Sequence, residues 1–196
     1  MLFAAGVFAQ PHHSSVLGTN ETPALAVTLQ AGEYVGQQQV IRGLITSGTN
    51  TFIFVVPGGL RAETSREGRV VLTSWDVRYF LCIGIVGPPL AEPGLKEALQ
   101  ERIASQYPHV SSLEEFTTTV ADREGTGYQL RQELPKVGGR FIRILWLPFQ
   151  GGVLEFTLNA DSNCASAGQG AFDMILLTFR SNERGKIEIV RRSEKT

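Results

Sequence analysis

The chain has 196 residues, 42% of them apolar and 19% charged, with a formal net charge of −1. That composition supports a packed core and excludes disorder by composition. It also excludes nucleic-acid binding, which needs a concentrated basic surface; the basic end at Arg191, Arg192 and Lys195 is interrupted by Glu188 and Glu194.

Residues Leu2–Ala9 are a short apolar run ending in Val7-Phe8-Ala9, the small-residue pattern that precedes signal-peptidase cleavage, and polar Pro11-His12-His13-Ser14-Ser15 follows at once. No basic stretch precedes the run. Residues 1–9 are therefore expected to be the remnant of a truncated secretory signal, with the translation start placed too late; a short buried strand is the alternative. The expected localisation is exported, periplasmic or extracellular. No other apolar run is long enough to span a bilayer, so no transmembrane segment is expected. Residues 10–37, rich in Pro, Gly, Ser, Thr and Asn, read as a linker. Within them Asn20-Glu21-Thr22 matches the N-glycosylation acceptor pattern, a triplet frequent by chance.

One α+β domain is expected over 38–191, followed by a tail at 192–196. Strands are expected at 38–46 and 51–56, with Ser47-Gly48-Thr49-Asn50 as the turn and Pro57-Gly58-Gly59 as the stop. Residues 61–68 read as a charged loop. Strands follow at 69–75 and 79–86, the second apolar on both faces and therefore interior, ended by Gly87-Pro88-Pro89 because proline cannot donate to a ladder. A helix is expected over 93–106, with Pro93 in its first turn and Leu95, Ala98, Leu99 and Ile103 as its apolar stripe. A second, short helix is expected from Ser111. There Ser111 with Glu114, or Ser112 with Glu115, can form a capping box, although the threonines at 117–119 weaken it.

The last third is the most legible. Leu154, Phe156, Leu158 and Ala160 alternate with Glu155, Thr157 and Asn159, as in a strand with one buried face. Tyr128 to Val137 alternates too, and Phe141 to Leu147 is apolar on both faces, as a central strand is. Gly138-Gly139 and Gly151-Gly152 separate the three runs, so two antiparallel hairpins are expected. Phe172, Ile175, Leu176 and Phe179 then form a helical stripe over 171–179, widened by Met174 and Leu177, which predicts deep packing on the sheet. Lys186 to Val190 reads as a last edge strand. The class is α+β: a mainly antiparallel sheet covered by helices.

This order resembles the PsbP-like superfamily, of photosystem II extrinsic-protein type. The residues that carry the resemblance are Phe52-Ile53-Phe54-Val55-Val56-Pro57, the helix near 93–106, and Gly152 to Leu158 followed by Ala171 to Arg180, about residues 50–181 in all. The strand before residue 50 departs from the simplest version of that pattern. The resemblance implies an α/β/α sandwich, a non-catalytic domain that docks onto a larger partner, and no catalytic residues to carry over.

Few residues suggest chemistry. His12 and His13 lie in the expected linker, and His109 follows a helix-ending proline; a nucleophile triad needs a base held beside a Ser or Cys, and nothing brings His109 to Cys164. No zinc-ligand spacing is present, and Asp161-Ser162-Asn163 is a fragment of a calcium loop better explained by helix capping, so no metal is expected. Ala165 to Gly170 is glycine-rich but lacks the lysine of a phosphate loop, and reads as a flexible connection. Glu155 and Asp173 lie in apolar surroundings, and are expected at separate solvated positions. Export would permit a disulfide between Cys82 and Cys164; two free buried thiols are the alternative. The candidate contact surface is Trp146, Pro148 and Phe149 at a hairpin end, where apolar groups are harder to cover, although such groups also close the edges of cores. No catalytic residue and no cofactor are expected. The function expected is docking to a protein partner or envelope component. A small-ligand carrier with a pocket between sheet and helices is the alternative, and a hydrolase comes after it.

Overall fold

The computed structural model describes residues 24–35, 38–87, 92–134 and 138–181. The expected signal remnant, the glycosylation triplet and the edge strand at 186–190 lie outside the described residues. The elements are β1 (Ala26–Val35), β2 (Gln38–Ser47), β3 (Asn50–Val56), β4 (Leu60–Thr64), β5 (Val70–Ser74), β6 (Tyr79–Ile85), α1 (Glu92–Gln106), β7 (Val110–Val120), β8 (Arg123–Leu134), β9 (Gly138–Phe149), β10 (Gly152–Asp161), a 3-10 turn (Ser162–Cys164), α2 (Ala165–Thr178) and β11 (Arg180–Ser181). Among the described residues strands outweigh helices and every strand pairing is antiparallel, and the class is α+β.

The strands form two sheets. The main one has seven strands in the order β4-β5-β6-β10-β9-β8-β7; the smaller has four, β1-β2-β3-β11. The late meander β8-β9-β10 is present, with β10 at the centre and β6 beside it (Leu158 opposite Leu81, Phe156 opposite Ile83), but β10 is buried on both faces and not on one, because α1 covers the side that carries Glu155 and Thr157. Each row across this sheet keeps its side chains on one face. One face carries Tyr128, Leu130, Ile142, Ile144, Trp146 and Val153, and the α1 stripe Leu95, Leu99 and Ile103 packs on it. The other carries Leu81, Ile83, Leu145, Leu147, Leu154, Phe156 and Leu158. It is covered by Ile45, Phe52, Phe54 and Val56 of the small sheet together with Phe172, Ile175 and Leu176 of α2. Phe179, at the end of α2, stacks on Phe52 at 5.3 Å and meets the Phe156 ring edge-on at 5.0 Å, joining the layers.

Several expectations need correction. Part of the expected linker, Ala26–Val35, is strand β1, because its residues complete a ladder with β2 (Val27 opposite Ile45), and Leu25 N–H donates to Gly68 O at 2.7 Å. The charged segment 61–68 contributes β4, an edge strand, where charge and exposure are compatible with a ladder. The expected second helix is strand β7. Its capping residues make cross-strand bonds instead: Ser111 Oγ donates to Arg131 O, and Gln129 Nε2 donates to Glu114. The β-branched run Thr117-Thr118-Thr119-Val120 then suits the ladder with β8. Helix α2 begins six positions earlier than expected, at Ala165, with no side-chain cap from Asp161–Asn163. Its small residues are the reason. A Cβ on Gly168 would lie 2.9 Å from Leu158, so the first turns approach β10 as closely as glycine allows. Met174 and Leu177 do not pack down; Leu177 is 74% exposed.

Gly127 on β8 has a defined job. A Cβ there would lie 2.5 Å from the Phe116 ring and 2.6 Å from Ile144 O. The main-chain oxygen cannot yield as a side chain can. Gly127→Ala is expected to lower stability by about 1–3 kcal/mol, as overpacking does, read as a fall in the midpoint of urea unfolding.

Candidate functional site

Helix α1 is anchored by a charge. Glu155 points from β10 toward the helix and is 3% exposed. Arg102 of α1 meets it with two bonds, Nε to Oε2 at 2.6 Å and Nη2 to Oε1 at 3.0 Å. Trp146 Nε1, on the neighbouring strand, donates to Oε2 at 2.9 Å, and Arg69 Nη2 lies 3.4 Å from Oε1. Arg69 reaches it by crossing Gly84, where a Cβ would sit 3.3 Å from Arg69 Cγ. The buried carboxylate thus accepts three hydrogen bonds and has a second guanidinium close by, the condition under which a charge can be held away from water. Glu155 is not at the solvated position expected for it. Asp173 is exposed and bonds Arg143 Nη1 at 2.8 Å on the opposite face of the sheet, so the two carboxylates share no cleft.

A separate set of bonds ties the first half of α1 to the outer strands. Lys96 Nζ lies 2.6 Å from Glu115 Oε2, and Gln100 Nε2 donates to Tyr128 Oη at 2.7 Å. Helix α1 therefore sits over β8, β9 and β10. The same face of β4, β5 and β6 has no described element over it. Its rows read Arg61–Thr73–Phe80–Asn159 and Glu63–Val71–Cys82–Thr157. Val71, Thr73, Phe80 and Cys82 are half-buried, forming an open bay with Tyr107, just past α1, at its inner side. Burial raises the Tyr107 hydroxyl first, and the Glu155 charge adds to it.

At one end of the bay the β5–β6 turn projects. Ser74 is buried, and its Oγ is the hub of the turn: it lies 2.7 Å from Asp76 Oδ1 and accepts the main-chain N–H of Arg78 at 3.2 Å and of Tyr79 at 3.3 Å. The Ser74 hydrogen bond, ahead of smaller effects, holds the Asp76 carboxyl below its usual range. Val77 has φ +58°, a left-handed conformation that a β-branched side chain rarely adopts. Strain of this kind, of order 1–3 kcal/mol, persists only where surrounding bonds over-determine it. The turn presents Trp75, 71% exposed, and Val77, 69% exposed. Arg61 stacks its guanidinium 5.5 Å from the Trp75 ring centroid. Two apolar side chains on a rigid, strained turn above an open sheet face make the strongest candidate contact site among the described residues.

The candidate is again a hairpin-end aromatic group, but at a different hairpin from the one expected. Trp146 and Phe149 are buried on opposite faces of the sheet, Trp146 under α1 and Phe149 edge-on to Phe52 at 5.5 Å, so with Pro148 they form no exposed aromatic patch. The missed signal was Ser74-Trp75-Asp76-Val77, where a short polar turn separates two strands and carries a tryptophan at its first position. Cys82 and Cys164 are free thiols, and the bridge considered between them is not formed. Burial raises the Cys82 thiol, with Arg69 opposing it, which keeps the sulfur protonated and unlike an activated nucleophile. His109 is exposed in the turn before β7, with φ +62°. Among the described residues no group of three His, Cys, Asp or Glu could hold a metal ion, and no helix is long and apolar enough to cross a membrane.

No known family profile matches the sequence, and no curated protein matches it. Among solved structures, the chain is similar to LpqN, involved in cell envelope biogenesis of Mycobacterium tuberculosis, at 14% identity and a TM-score of 0.47, covering 80% of this chain and 91% of that one. It is also similar to cyanobacterial PsbP (CyanoP) from Synechocystis sp. PCC 6803, at 11% identity and a TM-score of 0.41, covering 85% of this chain and 97% of that one.

The two carboxylates separate a buried ion pair from a surface one. Glu155→Ala leaves Arg102 and Arg69 without their counter-charge and should cost about 3–5 kcal/mol in chemical denaturation, whereas Asp173→Ala should cost about 1 kcal/mol or less.

Proposed function

We propose that this chain is an exported, non-catalytic domain that docks to a protein partner of the cell envelope. The contact is made by the Trp75–Val77 turn and the open half of the main sheet beside it. The fold is read as an α/β/α sandwich in which the small sheet extends one helical layer. The observation that carries the docking reading is the turn itself. A tryptophan and a valine stand in solvent on a loop whose hydrogen bonds and left-handed Val77 hold it in one shape. Rigid aromatic groups backed by arginine are the side chains that dominate protein contacts, because they bury large area at small entropic cost. Half-buried Thr73, Val71 and Phe80 continue the surface from the turn across the sheet.

Export is supported by the apolar run Leu2–Ala9 and the polar stretch that follows it. Terminal sequencing of the protein recovered outside the cytoplasm should find a first residue near Gln10; recovery only from the cytoplasm, still beginning at Met1, would contradict export.

Docking is tested with a photoreactive benzoylphenylalanine at position 75, compared with the same group in place of the exposed Glu101 on α1. Illumination in the native host should give a discrete adduct from position 75 and none from position 101. Val77→Asp, which removes the apolar side chain at a φ that Asp tolerates, should abolish that adduct. Identical adducts from both positions, or none from position 75, would sink the docking reading.

A further inference from the structure

Among the described residues, strand β7, Val110–Val120, is one outer edge of the main sheet and pairs on one side only, with β8. An edge strand presents main-chain donors and acceptors that can template another strand. Proteins commonly blunt such edges with proline, lysine or a bulge. β7 contains neither proline nor lysine, and its one register irregularity lies at its beginning, between Val110 and Ser112. Nine of its eleven residues, Ser112 to Val120, run in regular register with β8, longer than most edges left open.

The two faces of this edge differ in charge. On the α1 face, Glu115 is matched by Lys96 at 2.6 Å. On the other face Glu114 is exposed, and its bond is to the neutral amide of Gln129. Arg143, on the same row as Gln129, is already bonded to Asp173 and packed between the Phe116 and Phe172 rings, 4.5 and 5.1 Å from their centroids. Arg131 lies one row further along β8, opposite Ser112. Beside Glu114 opens a cleft of about 210 Å³ between β7–β8 and the first turns of α2, lined by Ser112, Gln129, Arg131, Phe141 and Gln169.

We infer that β7 is a strand-addition site: it takes an extended segment of a partner protein that carries Lys or Arg opposite Glu114, with that side chain at the mouth of the cleft. Main-chain bonds to the edge supply affinity, and the residue beside Glu114 supplies specificity. A second copy of this chain fits less well. Strand β7 itself carries no Lys or Arg, and two β7 strands in full antiparallel register place Glu114 against Phe116, so a second copy offers Glu114 no cation. The site lies across the sheet from the Trp75 turn, so it goes beyond the docking reading and does not depend on it.

The test uses two capped peptides, Thr-Val-Thr-Lys-Thr-Val-Thr and its counterpart with Glu at the centre, titrated into the isotope-labelled full chain and followed by NMR. The expected result is chemical-shift change confined to β7, β8 and the start of α2, with slowed amide exchange along β7. The Lys peptide should bind roughly fivefold more tightly than the Glu peptide, the ratio expected of one exposed charge pair. Glu114→Gln should bring that ratio close to one while leaving the shifts in place. Equal affinities for the native chain, shifts elsewhere, or no shifts would overturn the inference. Concentration-dependent shifts in β7 without peptide would overturn it in favour of a second copy. The position-75 adduct is read separately, so either surface can fail alone.

Discussion

One buried carboxylate organises the α1 side of this protein. Glu155 lies on the central strand of the main sheet, where an unpaired charge would be prohibitively costly. It is tolerated because Arg102 and Trp146 bring three hydrogen bonds to its two oxygens and Arg69 adds a second positive charge beside them. Arg102 belongs to α1, fifty-three residues earlier in the chain, so satisfying the carboxylate also decides where the helix lies. The apolar stripe Leu95, Leu99 and Ile103 supplies the burial; the guanidinium supplies the register. An apolar stripe alone could slide along a sheet face, whereas a bidentate ion pair fixes one position.

That placement decides which surfaces of the sheet are covered. With α1 held over β8, β9 and β10, the matching face of β4, β5 and β6 remains open among the described residues, and the β5–β6 turn stands at its end. The opposite face of the same sheet is closed by the small sheet and α2, whose Phe172, Phe179 and Phe52 bury against Phe156 and its neighbours. The sheet is therefore covered asymmetrically. Its closed side makes the larger core, and the described residues leave exposed an apolar turn backed by arginine on the other side and, at one edge, a long strand carrying Glu114, whose bond is to the neutral Gln129.

What could be read from the sequence followed from local periodicity. The alternation of Leu154 to Ala160 and the stripe of α1 depend only on which face each residue occupies, and both are found. What could not be read depended on distant partners. The alternation put Glu155 on the polar side of its strand, but only Arg102 and Trp146 explain why that side is dry. The segment at 111–120 carries a helix-start pattern and a β-branched run together, and pairing with β8 decided between them. The two tryptophans show the same limit. Trp146 and Trp75 both lie toward strand ends near turns, and their neighbours do not say which is exposed. Trp146 is on an interior strand beneath α1, while Trp75 lies beyond the reach of that helix.

Amide hydrogen exchange on Glu155→Gln, compared with the unaltered chain, tests most directly whether this carboxylate sets the position of α1. Gln keeps the size of the side chain and removes its charge. Selective loss of protection across Glu92–Gln106, with Ala165–Thr178 as protected as before, is the outcome expected of a local anchor. Equal loss in both helices, or none in either, would contradict it.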